Sequence, residues 1–299
     1  MPRVFDCFTF FNELDLLEIR LNELDAVVDR FVLAEAPLTF RGKPKPLHFA
    51  QNRDRFARFL PKIEHVVVDD LPTGGRDTPN GYFKTERFQR NALMRGLGTA
   101  AEDDFVVLSD VDEIPRAGAI AAILSTPGRG VHALQMRFYL YFLNLRYGLL
   151  WDKPRVARFG DIRRLQALRS GGPGWRPKSW RPLPVLNQWR RMVLGVRPRP
   201  WSSMADAGWH FTSMNGPASV HAKVSAYAHA RPELSSEMDV AIDIRRALES
   251  AMSGGPFSLD PVEELPAFVA ANRDRFASLF GSVARLDEYR TITGVPIPG

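Results

Sequence analysis

Runs of apolar residues separated by polar turns predict alternating strands and helices in the first half of the chain. The segment from Arg3 to Phe11 is rich in aromatic and β-branched residues, which is typical of a strand. Leucines then recur at helical spacing from Leu14 to Leu24, which predicts an amphipathic helix with Asn12 as its N-cap. The further predicted elements are strands at 27–36, 63–68 and 105–108 and helices at 52–60 and 83–97.

The alternation continues, and its strands have the composition of a buried sheet. The strand at 105–108 is apolar throughout, as expected of a parallel strand covered on both faces. The pattern predicts an α/β fold with a central, mostly parallel sheet flanked by helices and a helical C-terminal part. A loop is predicted at 71–81, a long strand or hairpin segment at 131–143, and helices at 218–230, 237–252 and 261–279. The sequence AQNRDRFARF at residue 50 returns as AANRDRFASL at residue 270, which indicates two similar amphipathic helices.

The composition is that of a globular protein. The 299 residues are 45% hydrophobic and 25% charged, and no apolar run reaches eighteen residues. The N-terminus lacks a secretory layout, and Cys7 is the only cysteine, so no internal disulfide can form. These features predict a reducing, cytoplasmic location.

Positive charge is concentrated in the middle of the chain. The formal net charge is +6, and Asp161 is the only acid between Lys153 and Arg199. Such a stretch is either a solvated surface or a site for phosphorylated substrates and anionic lipid head groups, and no motif favours nucleic acid as a partner. All six tryptophans lie between Trp151 and Trp209. We interpret this irregular region as a substrate-side surface, with at least half of the tryptophans packed in a core.

The strongest candidate for chemistry is an acidic cluster directly after the apolar strand. Asp110, Asp112 and Glu113 lie in the sequence SDVDEIP. Ligands of open parallel sheets bind at the carboxyl ends of the strands, where these acids are expected. Two carboxylates one residue apart supply the hard oxygen ligands that suit Mg²⁺ or Mn²⁺, an ion that can bridge a diphosphate.

Three further residues have two interpretations each. Glu35, at the end of the second strand, accepts hydrogen bonds from a ribose or base, or pairs with Arg41 or Lys43 at the surface. Arg90 reaches a diphosphate or is an exposed helix charge. His210, in the sequence GWHF, is a third metal ligand or a core histidine.

Taken in their order along the chain, several long segments resemble glycosyltransferase family 17, the family of β-1,4-mannosyl-glycoprotein β-1,4-N-acetylglucosaminyltransferases. The resemblance is carried by residues 6–24, 27–49, 109–115, 207–229 and 265–280. It implies a GT-A type nucleotide-sugar-binding fold, a divalent cation (Mn²⁺ or Mg²⁺) and inverting transfer of N-acetylglucosamine from UDP-N-acetylglucosamine.

The resemblance also implies residue roles. The family's acidic motif falls on Asp110 and Asp112 and its Gly-Trp-His on residues 208–210, so the expected metal ligands are Asp110, Asp112 and His210, with the diphosphate as the alternative partner of His210. The residues expected to bind the nucleotide-sugar are Asp110, Glu35, Arg90 and Asn12. The candidates for the base that inverting transfer requires are Glu113, Glu237 and Asp239. A carboxylate next to a metal ligand can instead orient that ligand.

The resemblance implies one catalytic domain over residues 1–299. Its expected parts are a nucleotide-sugar-binding half (1–150), an acceptor-side half (151–235) and a helical segment (236–299). Animal family members carry an N-terminal membrane anchor, whereas this chain begins at the predicted first strand. The expected acceptor is therefore a glycan or lipid-linked saccharide, with peripheral contact to an anionic membrane.

Two alternatives come from other classes of protein. A metal-dependent nucleotidyl- or phosphotransferase also uses paired aspartates, but it would normally carry a phosphate-cradling Gly-rich loop, and the sequence has none. A carbohydrate-binding protein without catalysis would not need the acids of the motif.

Overall fold

The computed structural model describes residues 2–72, 81–126, 130–170, 201–226 and 232–297. Within these ranges the strands are β1 (Val4–Thr9), β2 (Arg30–Glu35), β3 (Ile63–Val67), β4 (Phe105–Asp110), β5 (Glu113–Pro115), β6 (Val131–Leu134), β7 (Met136–Leu140), β8 (Leu145–Trp151), β9 (Arg155–Arg158), β10 (Trp201–Met204), β11 (Gly208–Thr212) and β12 (Phe257–Leu259). The α-helices are α1 (Leu14–Leu24), α2 (His48–Gln51), α3 (Gly81–Ala92), α4 (Ala117–Leu124), α5 (Leu165–Ser170), α6 (Gly216–Ala226), α7 (Glu237–Met252), α8 (Ala267–Ala271) and α9 (Val283–Ile292). Short 3₁₀ helices lie at Arg53–Lys62, Leu93–Leu97, Phe159–Asp161, Pro232–Leu234, Val262–Glu264 and Ala277–Leu279.

These elements form two compact units that interleave along the chain. The first comprises Met1–Met136 and Asp152–Gly208, and the second Arg137–Trp151 and Trp209–Gly299. The subdivision predicted from the sequence follows chain order instead. No helix of the described residues is both long enough and apolar enough to cross a bilayer.

The first unit is built on a sheet of seven described strands in the order β10-β6-β9-β4-β1-β2-β3. β4, β1, β2 and β3 are parallel neighbours, whereas β9 is antiparallel to β4 and β6. Phe5 of β1, Val32 of β2 and Val106 of β4 are fully buried in a core that also includes residues of α5 and of the 3₁₀ helix Leu93–Leu97. The predicted α/β class, with a mostly parallel sheet flanked by helices, is confirmed.

The second unit contains a separate sheet in which β12, β8, β7 and β11 are neighbours in that order. β11 is parallel to β7, and β12 is antiparallel to β8. Buried residues of α7, such as Val240 and Ile244, pack in one core with Tyr141, Phe142 and Leu145. This unit carries the helical C-terminal part that the sequence predicts.

The predicted single strand or hairpin at 131–143 is two strands in two different sheets. The break falls at Gln135, whose backbone N–H donates to the Met204 carbonyl at 2.8 Å and whose carbonyl accepts from Ala207 at 2.9 Å. Because that backbone is bonded to another segment, β6 ends before it and β7 begins after it.

The segments predicted as helices at 52–60 and 261–279 are helical but not continuous α-helices: the first is a 3₁₀ helix at Arg53–Lys62, and the second is divided into Val262–Glu264, Ala267–Ala271 and Ala277–Leu279. The Asn52 side-chain amide donates to the His48 carbonyl at 2.8 Å, and Asn272 donates to the Phe268 carbonyl at 2.8 Å. Each asparagine is the C-cap of a short α-helix, α2 or α8, and 3₁₀ turns follow. The two copies of the Asn-Arg-Asp-Arg-Phe echo therefore share one local structure that ends an α-helix.

The predicted N-cap of the first helix is also wrong. α1 begins at Leu14, and its N-cap is Glu13, which makes no side-chain cap hydrogen bond. The Glu13 carboxylate instead accepts from the backbone N–H groups of Phe11, at 3.2 Å, and Asn12, at 3.0 Å. This contact turns the chain between β1 and α1, so Asn12 lies in the turn and not at the cap.

Parts of two predicted irregular regions lie outside the described residues. These parts are most of the 71–81 loop, residues 171–200 of the basic stretch and three of the six tryptophans. Of the other three, Trp209 is buried, whereas Trp151 and Trp201 are partly exposed.

Candidate active site

The acidic motif lies where parallel strands end in the first unit. Asp110 is the last residue of β4 and is in register with Thr9, the last residue of β1. The Thr9 hydroxyl donates to Asp110 Oδ1 at 3.0 Å. Ligands of parallel sheets bind at this edge, so the structure places Asp110 where the sequence predicted it.

Glu113 holds the turn that carries Asp112. Its carboxylate accepts from the backbone N–H of Asp110 at 2.8 Å, which closes the turn between β4 and β5. The Glu113 side chain is 1% exposed. Its burial and its hydrogen bond favour a role in positioning Asp110 and Asp112 over a role as the base.

A buried arginine that was not predicted from the sequence binds the backbone of the same turn. Arg20 of α1 donates to the carbonyls of Asp110 at 3.0 Å and Glu113 at 2.8 Å, and to the Ser109 hydroxyl at 2.6 Å. It also forms two hydrogen bonds to Asp6, at 2.7 and 2.5 Å, and neither side chain is exposed. An arginine on the leucine stripe of α1 and an aspartate inside a hydrophobic strand were the signals that could have revealed this pair.

Two more guanidinium groups bind Asp110. Arg90 Nη2 lies 3.0 Å from Asp110 Oδ1, and Arg169 Nη2 lies 2.7 Å from Asp110 Oδ2. Arg90 is 3% exposed, so it is not the exposed helix charge of the alternative interpretation. Arg169 falls in the basic stretch, where nothing in the local sequence distinguishes it from its neighbours.

These charges control the protonation of Asp110. Burial alone would raise the pKa of this carboxyl, but the guanidiniums of Arg169 and Arg90 overcome that effect and lower it well below its ordinary value. Burial opposes the charge of Arg169 as well, yet the carboxylates of Asp110 and Glu113 raise its pKa. Asp110 is therefore an anion throughout the physiological pH range.

Glu35 lies at the end of β2 but is turned into the protein. It is fully buried, and its Oε1 lies 3.4 Å from Lys45 Nζ and 3.3 Å from the backbone nitrogen of Phe49. His65 Nε2 is 3.2 Å from Oε2. The surface pair with Arg41 or Lys43 is thus replaced by a buried pair with Lys45, whose pKa is lowered by burial against the opposing effect of Glu35. Among the described residues, no hydrogen bond or ion pair joins Glu35 or Asn12 to Asp110.

The acids at the motif fit a divalent cation by ligand chemistry, because carboxylate oxygens are hard ligands. Both oxygens of Asp110 are already engaged, by Thr9, Arg90 and Arg169. In the part of the chain that the structure describes, no group of three or more histidine, cysteine, aspartate or glutamate side chains is arranged to hold a metal ion. Metal binding thus stays a prediction.

Comparison with known proteins supplies the family. Residues 1–167 match the model of glycosyltransferase family 17. The chain belongs to glycosyltransferase family 17. The family predicted from the sequence is confirmed, and it is a family of glycosyltransferases, the enzyme class that the sequence predicts for this chain.

Curated relatives match over nearly the whole chain. This chain is 28% identical over 300 residues to the β-1,4-mannosyl-glycoprotein 4-β-N-acetylglucosaminyltransferase of Rattus norvegicus. The match covers 93% of this chain and 54% of the relative. The enzyme of the same name from Homo sapiens is 28% identical over 297 residues, with 92% and 54% covered. The chain thus spans about half the length of these relatives.

In this family 17 chain, the histidine of Gly-Trp-His lies in the second unit. His210 is on β11 and is 6% exposed. Its ring centroid lies 4.5 Å from that of Trp151 and 4.9 Å from that of Phe138. Aromatic rings on two sides are what the core interpretation expects, and the proposed role as a metal ligand stays a prediction.

The glycine of the same block is required by a close backbone approach. Gly208 has φ +153°, and a Cβ atom there would meet the Ile114 carbonyl oxygen and lie 2.8 Å from Pro115 Cα. Gly208→Ala should therefore lower the free energy of unfolding by at least about 2 kcal/mol, measured by urea denaturation.

A matched glycine provides the control for this prediction. Gly118 lies in helix α4, and a Cβ atom there would have open space around it. Gly118→Ala should stabilise the protein by roughly 0.5–1 kcal/mol. Equal effects of the two substitutions would show that the close approach at Gly208 is not a constraint.

Proposed function

We propose that this chain is a metal-dependent, inverting glycosyltransferase with a GT-A type fold, which transfers N-acetylglucosamine from UDP-N-acetylglucosamine to a saccharide acceptor. The observation that supports the proposal most strongly is the position of Asp110, with Asp112 following in the turn, at the carboxyl edge of the parallel strands. The names of the curated relatives support the donor sugar.

In the proposed site, Asp110 and Asp112 hold the metal ion, and His210 is the proposed third ligand. When bound, the ion neutralises the diphosphate and stabilises the leaving UDP. Thr9 and Arg20 hold Asp110 and the backbone of its turn in place before any ligand arrives. Arg90, already beside Asp110, supplies a guanidinium that binds diphosphate oxygens.

Inverting transfer also needs a base that takes the proton of the acceptor hydroxyl. Asp239 is engaged at the start of α7, where its carboxylate accepts from the backbone N–H and the hydroxyl of Ser236 in a capping box. Glu237, in the first turn of the same helix, is exposed, and its carboxylate makes no hydrogen bond or ion pair with the described residues. We therefore propose Glu237 as the base among the three candidates.

This assignment makes two neighbouring variants behave oppositely. Glu237→Gln should lower kcat by about 10²- to 10⁴-fold at an unchanged Tm, because a base is lost and no structural contact is broken. Asp239→Ala should lower the Tm through loss of the cap while kcat of the folded protein stays close to wild type. If Glu237→Gln keeps full kcat, Glu237 is not the base.

We further propose a cytoplasmic location and a glycan or lipid-linked saccharide as acceptor, with peripheral contact to anionic membranes. The charge distribution supports this proposal, since Arg163 and Arg164 are exposed at the described end of the basic stretch. Cationic side chains near a membrane surface are attracted by anionic lipids within about a Debye length, ~10 Å at 0.1 M salt.

Donor binding tests the proposal. Thermal unfolding is followed with UDP-N-acetylglucosamine, UDP-glucose, UDP-galactose or GDP-mannose, each with Mn²⁺ or with EDTA. UDP-N-acetylglucosamine with Mn²⁺ should raise the Tm most, since a ligand that binds only the folded state stabilises it. A GDP-mannose shift equal to the UDP-sugar shifts would contradict the donor assignment. Incorporation of nucleotide into product would instead indicate a nucleotidyltransferase.

A further inference from the structure

Arg169 connects the two carboxylates that frame the Asp110–Glu113 turn. Its Nη2 lies 2.7 Å from Asp110 Oδ2 and 2.7 Å from Glu113 Oε1, and its Nη1 lies 2.8 Å from Glu113 Oε2. The Arg169 side chain is 10% exposed, so this contact is shielded from solvent. A fixed positive charge therefore lies directly against the carboxylate that is proposed to bind a metal ion.

Asp110 is the shared member of this network, and each arginine that binds it has another acceptor. Without Asp110, Arg169 would still make both hydrogen bonds to Glu113, a forked arrangement that matches a carboxylate well. Arg90 would still bind Glu86, at 2.8 Å, and Gln166, at 2.5 Å. Asp110 can thus change partners while each guanidinium keeps another acceptor.

A divalent cation at Asp110 needs an oxygen that Arg169 now holds, and it carries the same sign of charge. Like charges a few ångströms apart in a partly buried site repel strongly. We propose that Arg169 and a divalent cation compete for Asp110: the cation binds as the Arg169–Asp110 contact breaks, while Arg169 keeps its fork on Glu113. This inference rests on the proposed metal dependence and adds Arg169 as a positioning residue that weakens metal binding.

Competition predicts that removal of the arginine charge strengthens metal binding. Mn²⁺ affinity is measured without donor or acceptor, by electron paramagnetic resonance of the free ion. Arg169→Gln should lower the Kd for Mn²⁺ by about 10- to 100-fold, the effect expected when one charge-assisted hydrogen bond no longer has to break. If Arg169 had only a structural role, Arg169→Gln would instead raise the Kd for Mn²⁺.

Arg163→Gln is the matched control, because it removes the same charge at an exposed position on the segment that leads into α5. Its Kd should stay within about twofold of wild type, since a solvent-exposed charge is screened. Arg169→Lys keeps the charge but loses the fork, so its Kd should fall between those of wild type and Arg169→Gln. This variant decides the question if Arg169→Gln does not fold.

The outcomes separate the inference from the proposed function. If wild type binds Mn²⁺ and the Arg169 variants bind it no more tightly, competition is overturned while metal dependence stands. If neither wild type nor any variant binds Mn²⁺, the proposed metal dependence fails and the inference fails with it.

Discussion

Asp112→Asn is expected to reduce sugar transfer from UDP-N-acetylglucosamine by about 10²- to 10³-fold. A metal ion contributes several kcal/mol of charge stabilisation in the transition state, and each 1.36 kcal/mol corresponds to a factor of ten in rate. Asparagine keeps the shape of the side chain but removes the charge that is proposed to hold the ion. Transfer is measured as UDP release at saturating Mn²⁺, and the Tm is measured alongside it.

Asp103→Asn is the control for this prediction. Asp103 lies in the exposed turn before β4, and the substitution makes the same change of charge outside the motif. Its rate should equal that of wild type. Wild-type transfer by Asp112→Asn, with Mn²⁺ present, would remove Asp112 from the proposed metal site.

Arg20→Met is expected to lower the free energy of unfolding by about 3–5 kcal/mol. The substitution leaves the fully buried Asp6 carboxylate without its partner, and an uncompensated buried charge is costly. It also removes the donor that the carbonyls of Asp110 and Glu113 share. Urea denaturation followed by circular dichroism measures the change.

Two variants control for this effect. Arg58, whose side chain is 70% exposed, pairs with Asp25, and Arg58→Met should cost no more than about 1 kcal/mol. The double variant Asp6→Leu/Arg20→Met removes both buried charges and should be more stable than Arg20→Met alone. A double variant as unstable as the sum of the two single ones would contradict the uncompensated-charge explanation.

The strands and the acidic motif could be predicted because residues that are close together in the sequence determine them. A short apolar run such as that of β4 has few alternatives to a buried strand, and acids directly after it must lie at the sheet edge. The capping box of α7 was equally readable, since Ser236 and Asp239 have the Ser-x-x-Asp spacing, yet Asp239 was interpreted only as a candidate base.

The rest of the site depends on residues that are far apart in the chain. Arg20 lies 90 positions before Asp110, and Arg169 lies 59 positions after it. No periodicity links such residues, so only the folded chain shows that they meet. The predictions of helix ends failed for a different reason. Single side chains such as Glu13 and Asn272 form hydrogen bonds with nearby backbone groups, and these bonds set the helix ends independently of the apolar pattern.

The most direct test of the proposed reaction is the release of UDP from UDP-N-acetylglucosamine by the purified chain with a lipid-linked or free saccharide acceptor. Reactions with Mn²⁺ and with EDTA are compared, and nuclear magnetic resonance gives the anomeric configuration of the transferred sugar. We expect UDP release and a β-linked product only with the metal, because inversion converts the α-linked donor. Equal product with EDTA, or an α-linked product, would contradict a metal-dependent, inverting transfer.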